Sequence, residues 1–316
     1  MNPSPASPDV SSPSGINRAG LGYAISSYVL WGFLPIYFIA LAPTGSLEIV
    51  AWRILLSLVF CALLITVTRG WDAFLALLRD RRVLFTMGAA GALIYVNWQT
   101  YVFAATSGQV VEASLGYFIN PIVTVFLGVL VLRERLNTTQ WVAVGISIGA
   151  VVVLAVGHGQ FPWIALLLAF SFGFYGLIKK RVGARVDAVS GLTLETLWLA
   201  PLAAVQLWWV AATTGLTMGT EGAWHTVLLL CAGAVTAVPL LLFAAASRRL
   251  PLIYMGFIQY FAPFIQFLVG VVVLGEPMPL ERWIGFALVW AALAVLTVDM
   301  LRNARKAPKR VVAEPV

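Results

Sequence analysis

Few side chains in this sequence are equipped for chemistry, and most of those lie at or inside long apolar runs. Arg53, Glu48, Glu112 and Glu195 are the ionisable ones; Asn97, Gln99, Asn120 and Gln259 are amides in the same setting. An ionised side chain at the centre of a bilayer costs roughly 2.5–3.5 kcal/mol even on a lenient insertion scale, so each is either paired or functional. Arg53 falls about two helical turns into its run at 1.5 Å per residue. Glu48 begins that run, and Glu112 begins another on the same side. Two readings stay open. In one, Arg53 pairs with Glu48 or Glu112 and holds helices together. In the other, Arg53 takes an anionic group of a bound molecule while Glu112 exchanges a proton. Glu195 occupies the place in the second half of the chain that Arg53 occupies in the first.

Prolines accompany the amides. Pro121 leaves the carbonyl of Tyr117 without a helical donor, Pro263 does the same to Gln259, and Pro35 to Trp31. A freed carbonyl at membrane depth is tolerable where it meets another helix, water or a ligand. Pro121 and Pro263, beside Asn120, Gln259 and Tyr260, therefore suggest a polar cavity, with Trp31, Trp98 and Tyr117 as candidate lining. The alternative is that the amides only join helices, at about 0.6 kcal/mol per hydrogen bond. Glu112, Gly116 and Asn120 share one helix face, and Gly116 permits close approach there.

Several chemistries have no residues to carry them. There is no phosphate loop of the form G-x-x-x-x-G-K-[ST], no H-E-x-x-H, no G-x-S-x-G and no T-V-G-Y-G filter. Cys61 and Cys231 lie in apolar runs and read as packing thiols, while His158 and His225 are far apart. No metal or cofactor is expected.

These residues need elements to hold them, and composition says which. Hydrophobic residues make up 61% of the chain and charged ones 10%, with mean hydropathy +0.93. A soluble domain carries about 25% charged residues, so most of this surface faces lipid. A spanning helix takes about 20 apolar residues. The runs predict spans at 20–42, 47–68, 83–105, 109–132, 139–157, 162–180, 189–212, 224–246, 251–274 and 280–301, joined by loops. Residues 1–19 read as a disordered tail and 302–316 as a basic one lying against anionic headgroups. Of the 20 Lys and Arg residues, 18 fall in the two tails and in every second loop; the others are Arg53 and Arg282. By the positive-inside rule both termini are cytoplasmic. The net charge of +7 is thus an orientation signal, and no nucleic-acid partner is expected.

The halves echo each other. Asn120-Pro121, Gly128, Leu132, Glu134 and Trp141 return as Ala262-Pro263, Gly270, Leu274, Glu276 and Trp283, and Trp31-Gly32-Phe33 as Phe172-Gly173-Phe174. Five spans per copy is an odd number, so the second copy enters the membrane inverted. That arrangement places a binding site near the midplane.

One set of residues is specific. It comprises Trp31-Gly32 with Pro35 and Tyr37-Phe38, Glu48 with Arg53 and Ser57, Asn97-Trp98, and the run Val111-Glu112-Ala113-Ser114-Leu115-Gly116-Tyr117-Phe118-Ile119-Asn120-Pro121. With them go Glu134-Arg135, Ala169 to Phe172, Phe174-Tyr175-Gly176, Glu195-Thr196 with Trp198, Gln259-Tyr260 with Pro263, and Asp299. Over residues 20–301 the chain resembles the RarD branch of the EamA family, in the drug/metabolite transporter superfamily. Leu56 departs from the Trp expected before Ser57. The resemblance implies an all-α protein of the bacterial inner membrane with ten helices in two inverted repeats, 20–157 and 162–301. It also implies secondary transport, in the export direction, of a small metabolite or drug-like molecule. Its partners would be that substrate, the lipid bilayer, a coupling proton or sodium ion, and a second copy in a homodimer. A non-transporting scaffold or sensor, or a membrane enzyme, are the alternative readings.

Overall fold

The structure, a computed structural model, describes residues 17–132, 136–157, 161–182, 185–250 and 252–306. Among these residues every regular element is a helix. The elements are α1 (Arg18–Ile39), α2 (Ser46–Val67), α3 (Trp71–Arg79), α4 (Arg81–Thr106), α5 (Val110–Leu132), α6 (Thr138–Gly157) and α7 (Trp163–Val182). They are followed by α8 (Ala188–Thr213), α9 (Ala223–Leu230), α10 (Ala232–Ser247), α11 (Leu252–Ile258), α12 (Phe261–Leu268), a π-helical turn at Val269–Val273, and α13 (Leu280–Lys306).

Local chemistry sets where several helices begin. Asn17 accepts from Gly20 N at 3.0 Å and caps α1. Asp80 accepts from Arg82 N and Val83 N and caps α4. Asp187 accepts from Val189 N and Ser190 N and caps α8. Each satisfies amide donors that the first turn leaves open.

Among the described residues, nine helical segments are long and apolar enough to cross a membrane. The expected span at 83–105 is a helix too, the 26-residue α4, but it is less apolar than the nine. Its polar residues explain why: Asn97 and Thr100 are buried within the protein. A helix enclosed by other helices need not be apolar all round.

Two boundaries differ from expectation. Residues 71–79, expected as loop, form α3. Phe74 on this helix is buried against Ile65, Val83, Met87 and Leu194, while Trp71 and Leu75 are exposed. That is the build of a helix lying in the membrane interface. At the other end α13 runs to Lys306, so the basic tail begins as a helical extension.

The ninth expected span is broken. Pro263 has no N–H for the Gln259 carbonyl, and the chain turns at Gln259-Tyr260 between α11 and α12. Pro35 leaves α1 continuous, and its freed Trp31 carbonyl accepts from Gln266 Nε2 on α12 at 3.2 Å. Close helix contacts rest on glycines. A Cβ on Gly116 would lie 2.6 Å from the Ala165 carbonyl oxygen on α7, and one on Gly32 would lie 2.7 Å from Ile265 on α12. Gly145 has nothing near.

Overpacking a tight interface costs about 1–3 kcal/mol. Gly116→Val should therefore lower the melting temperature of the purified protein by several degrees. Gly145→Ala should leave it unchanged or raise it slightly, as a gain in helix propensity predicts; thermal unfolding in detergent reads both.

Candidate functional site

Arg53, on α2, points into the bundle and its side chain is buried. Its Nε donates to Thr236 Oγ1 on α10 at 2.9 Å. Its guanidinium carbon lies 4.2 Å from the ring centroid of Trp98 on α4 and 5.6 Å from that of Phe38 on α1. Tyr37, Tyr101 and Tyr117 are close enough to interact electrostatically with the charge. Nη1 is sealed from solvent with no hydrogen-bond partner among the described residues, and so is the Tyr101 hydroxyl. Neither Glu48 nor Glu112 pairs with Arg53.

The reason lies in what occupies those carboxylates. Glu48 accepts from Thr217 N at 2.9 Å, from Met218 N at 3.2 Å and from the Trp52 indole at 3.2 Å. Glu112 accepts from Ile164 N at 3.1 Å, over the start of α7. Both are drawn to amide donors of other elements at the end of the bundle where α2, α5 and α7 begin. Glu276 behaves alike, taking Val110 N and Val111 N at the start of α5. Burial pushes the Glu276 carboxyl above the ordinary glutamate range, against the pull of those two N–H donors. Glu134, its partner in the sequence echo, lies outside the described residues, as do Arg133, Arg135 and His158.

Cation–π contact with a desolvated guanidinium contributes about 2 kcal/mol. Removing such a charge from water costs several kcal/mol. Trp98, Phe38 and Thr236 thus offset part of the penalty, and among the described residues no carboxylate pairs with the charge.

Asn97 lies one position before Trp98, buried, and uses its whole amide. Nδ2 donates to the Leu168 carbonyl and to Ser171 Oγ on α7, each at 3.1 Å, and Oδ1 accepts from Tyr117 OH at 3.0 Å. Gln99 joins Ser46 and Gln206, tying α4 to α2 and α8. From Arg53 outward the rings form a ladder: Phe38 to Tyr101 at 6.0 Å, Tyr101 to Tyr117 at 5.6 Å, Tyr117 to Phe172 at 6.0 Å and Phe172 to Tyr175 at 5.8 Å. Tyr175 OH then donates to Glu195, which holds Lys179 Nζ at 2.9 Å. Glu195 is buried, whereas Lys179 is 32% exposed.

The structure brings Arg53, Asn97, Trp98 and Tyr117 together and leaves other expected lining residues elsewhere. Asn120 Oδ1 accepts from Thr124 and Gln259 Nε2 donates to Gly256, both within a turn of their own chain. Trp31 meets Tyr28 edge-on and Phe243 at a tilt, and it also packs against the cluster that holds Phe38, Trp98 and Tyr101. Tyr260 packs with the cluster around Phe267 and Phe286. Tyr101, Thr236 and Lys179 escaped the sequence reading. Tyr101 follows Asn97, and Lys179 follows Tyr175, at the i, i+4 spacing that would have put each pair on one face. His225 bonds Thr44 and the Leu41 carbonyl, Cys61 is buried and Cys231 is exposed. No cluster of metal-ligating side chains occurs among the described residues.

The model of the EamA-like transporter family matches this chain twice, over residues 18–156 and 162–298. The chain belongs to that family. A protein named RarD from Streptomyces exfoliatus is 46% identical over 296 residues, covering 94% of this chain and 93% of its own length. RarD of Escherichia coli K12 is 38% identical, covering 92% of this chain and 98% of its own length. An uncharacterized transporter of Vibrio cholerae is 40% identical, with 90% of this chain and 94% of that protein covered. A solved crystal structure with 19% identity superposes with a TM-score of 0.57 over 92% of this chain and 99% of its own, which shows the shared fold. This EamA protein is of the RarD type, a multi-pass protein of the bacterial inner membrane.

Removing one partner of a buried pair leaves an uncompensated charge, whereas removing both does not. Lys179→Met should therefore lower stability more than the double variant Lys179→Met/Glu195→Gln. Thermal unfolding of the wild type, both single variants and the double variant closes the cycle.

Proposed function

We propose that this EamA protein is a secondary transporter, working in the export direction, that carries a small metabolite or drug-like molecule by alternating access. The observation that carries this reading is a buried polar group assembled from both family-model segments: Arg53, Asn97, Trp98 and Tyr117 come from 18–156, and Ser171 and Thr236 from 162–298. A site shared by two halves is what rocking one half against the other would expose to either side.

Packing supports two inverted five-span repeats as the moving parts. α2 packs on α8 and α6 on α13, each pair being counterparts five spans apart. Other contacts come in exchanged sets: α5 on α7 with α12 on α1, α4 on α7 with α10 on α1, and α4 on α8 with α10 on α2. Glycines follow the same rule. Gly91 backs onto the Glu195 main chain, and Gly233 backs onto the Leu56–Ser57 main chain. Both termini then lie in the cytoplasm, and Glu48, Glu112 and Glu276 sit at the outer end. With the outer end latched, release outward needs those carboxylates to let go of their amide donors. A coupling proton reaching Glu112 would loosen one of them, its hold on Ile164 N.

The test is reconstitution. Proteoliposomes loaded with a cell metabolite extract should release at least one compound faster than empty liposomes, read by mass spectrometry. Asn97→Leu, verified as folded, should slow that release at least tenfold. A folded wild-type protein that moves nothing from the extract defeats the reading.

A further inference from the structure

Resting on that transport reading, we infer that the unpartnered Nη1 of Arg53, with the Tyr101 hydroxyl, seats the carboxylate of a monoanionic substrate whose flat apolar body lies against Trp98, Phe38 and Tyr117. A buried guanidinium is ordinarily neutralised by a carboxylate. Here the nearby carboxylates are engaged by backbone amides, and the guanidinium has a hydroxyl, two aromatic faces and one idle nitrogen. The missing negative charge has to arrive with the cargo.

The class of anion follows from the donors. One guanidinium and neutral hydroxyls match a single negative charge. Lys179, the next cation along the aromatic ladder, is already held by Glu195, so nothing balances a second charge on a phosphate. A carboxylate accepts from a guanidinium N–H and a phenol at once. The rest of the cage is aromatic: Trp98 and Phe38 over the guanidinium, with Tyr117, Tyr101 and Tyr37 close enough to interact with its charge. Such walls select a planar apolar body. A crevice of about 260 Å³ lined by Phe38, Ile39, Ala42, Pro43, Thr44 and Thr106 has Phe38 in common with the cage.

The experiment compares phenylacetate with phenylacetamide, which share ring and length and differ in charge, and with acetate, which has the charge and no body. Titrations of purified protein are followed by calorimetry and by tryptophan fluorescence, since an indole forms one wall. Wild type should bind phenylacetate at least tenfold more tightly than either other probe. Arg53→Gln should bring the acid-to-amide ratio to about one. Tyr101→Phe, which keeps the charge, should weaken phenylacetate severalfold and leave phenylacetamide unchanged. A wild-type ratio near one, a ratio that survives Arg53→Gln, acetate as tight as phenylacetate, or no binding of any probe would each overturn the assignment. Release of a neutral or cationic metabolite from proteoliposomes that persists in Arg53→Gln would keep the transport reading while removing this one. Release of nothing would remove both.

Discussion

Inside hydrocarbon no water is available to a backbone N–H or C=O, and every departure from a regular helix must be answered by another part of the protein. Much of this fold can be read as those answers. The Trp31 carbonyl, left open by Pro35, is met by Gln266. The amides that open α5 and α7 are met by Glu276 and Glu112, and those of the 217–218 turn by Glu48. Each answer crosses from one element to another, so satisfying the backbone also fixes which helices are neighbours.

The same rule explains what the sequence could and could not reveal. Hydropathy located α1, α2 and α5 to within a few residues, because lipid-facing length is a property of a single segment. Pro263 marked the open Gln259 carbonyl for the same reason, since the missing N–H is local; that the chain turns there while Pro35 and Pro121 leave α1 and α5 continuous is set by what packs around each. The neighbours of Arg53 are another matter. Charge argues for a carboxylate, and Glu48 and Glu112 were the nearest in sequence and depth. Their preference for the amides at 164 and 217–218 depends on loops far along the chain, which no local pattern exposes. α3 was hidden because Asp72 and Arg79 made a nine-residue segment look like loop, and only its burial of Phe74 against α2, α4 and α8 gives it a reason to be helical.

Asn97 and Trp98 show how two adjacent residues divide labour. Successive helix positions are about 100° apart at 3.6 residues per turn, so one side chain turns to α7 and the other to Arg53 on α2. The amide fixes the orientation of α4 through three hydrogen bonds. The indole is thereby held over the guanidinium at 4.2 Å. A polar residue that looks like a ligand contact is, in this state, the bracket that aims its neighbour.

The aromatic ladder joins two charged places that are counterparts in the two halves, Arg53 at one end and Glu195 with Lys179 at the other. Edge-to-face and tilted rings set positive rims against negative faces, and the row crosses α1, α4, α5 and α7. Each ring in the middle is thus packed by neighbours on two sides. Trimming one of them to a small side chain would strip a partner from two others at once, and the two charged ends would be parted by a gap in place of packed surface.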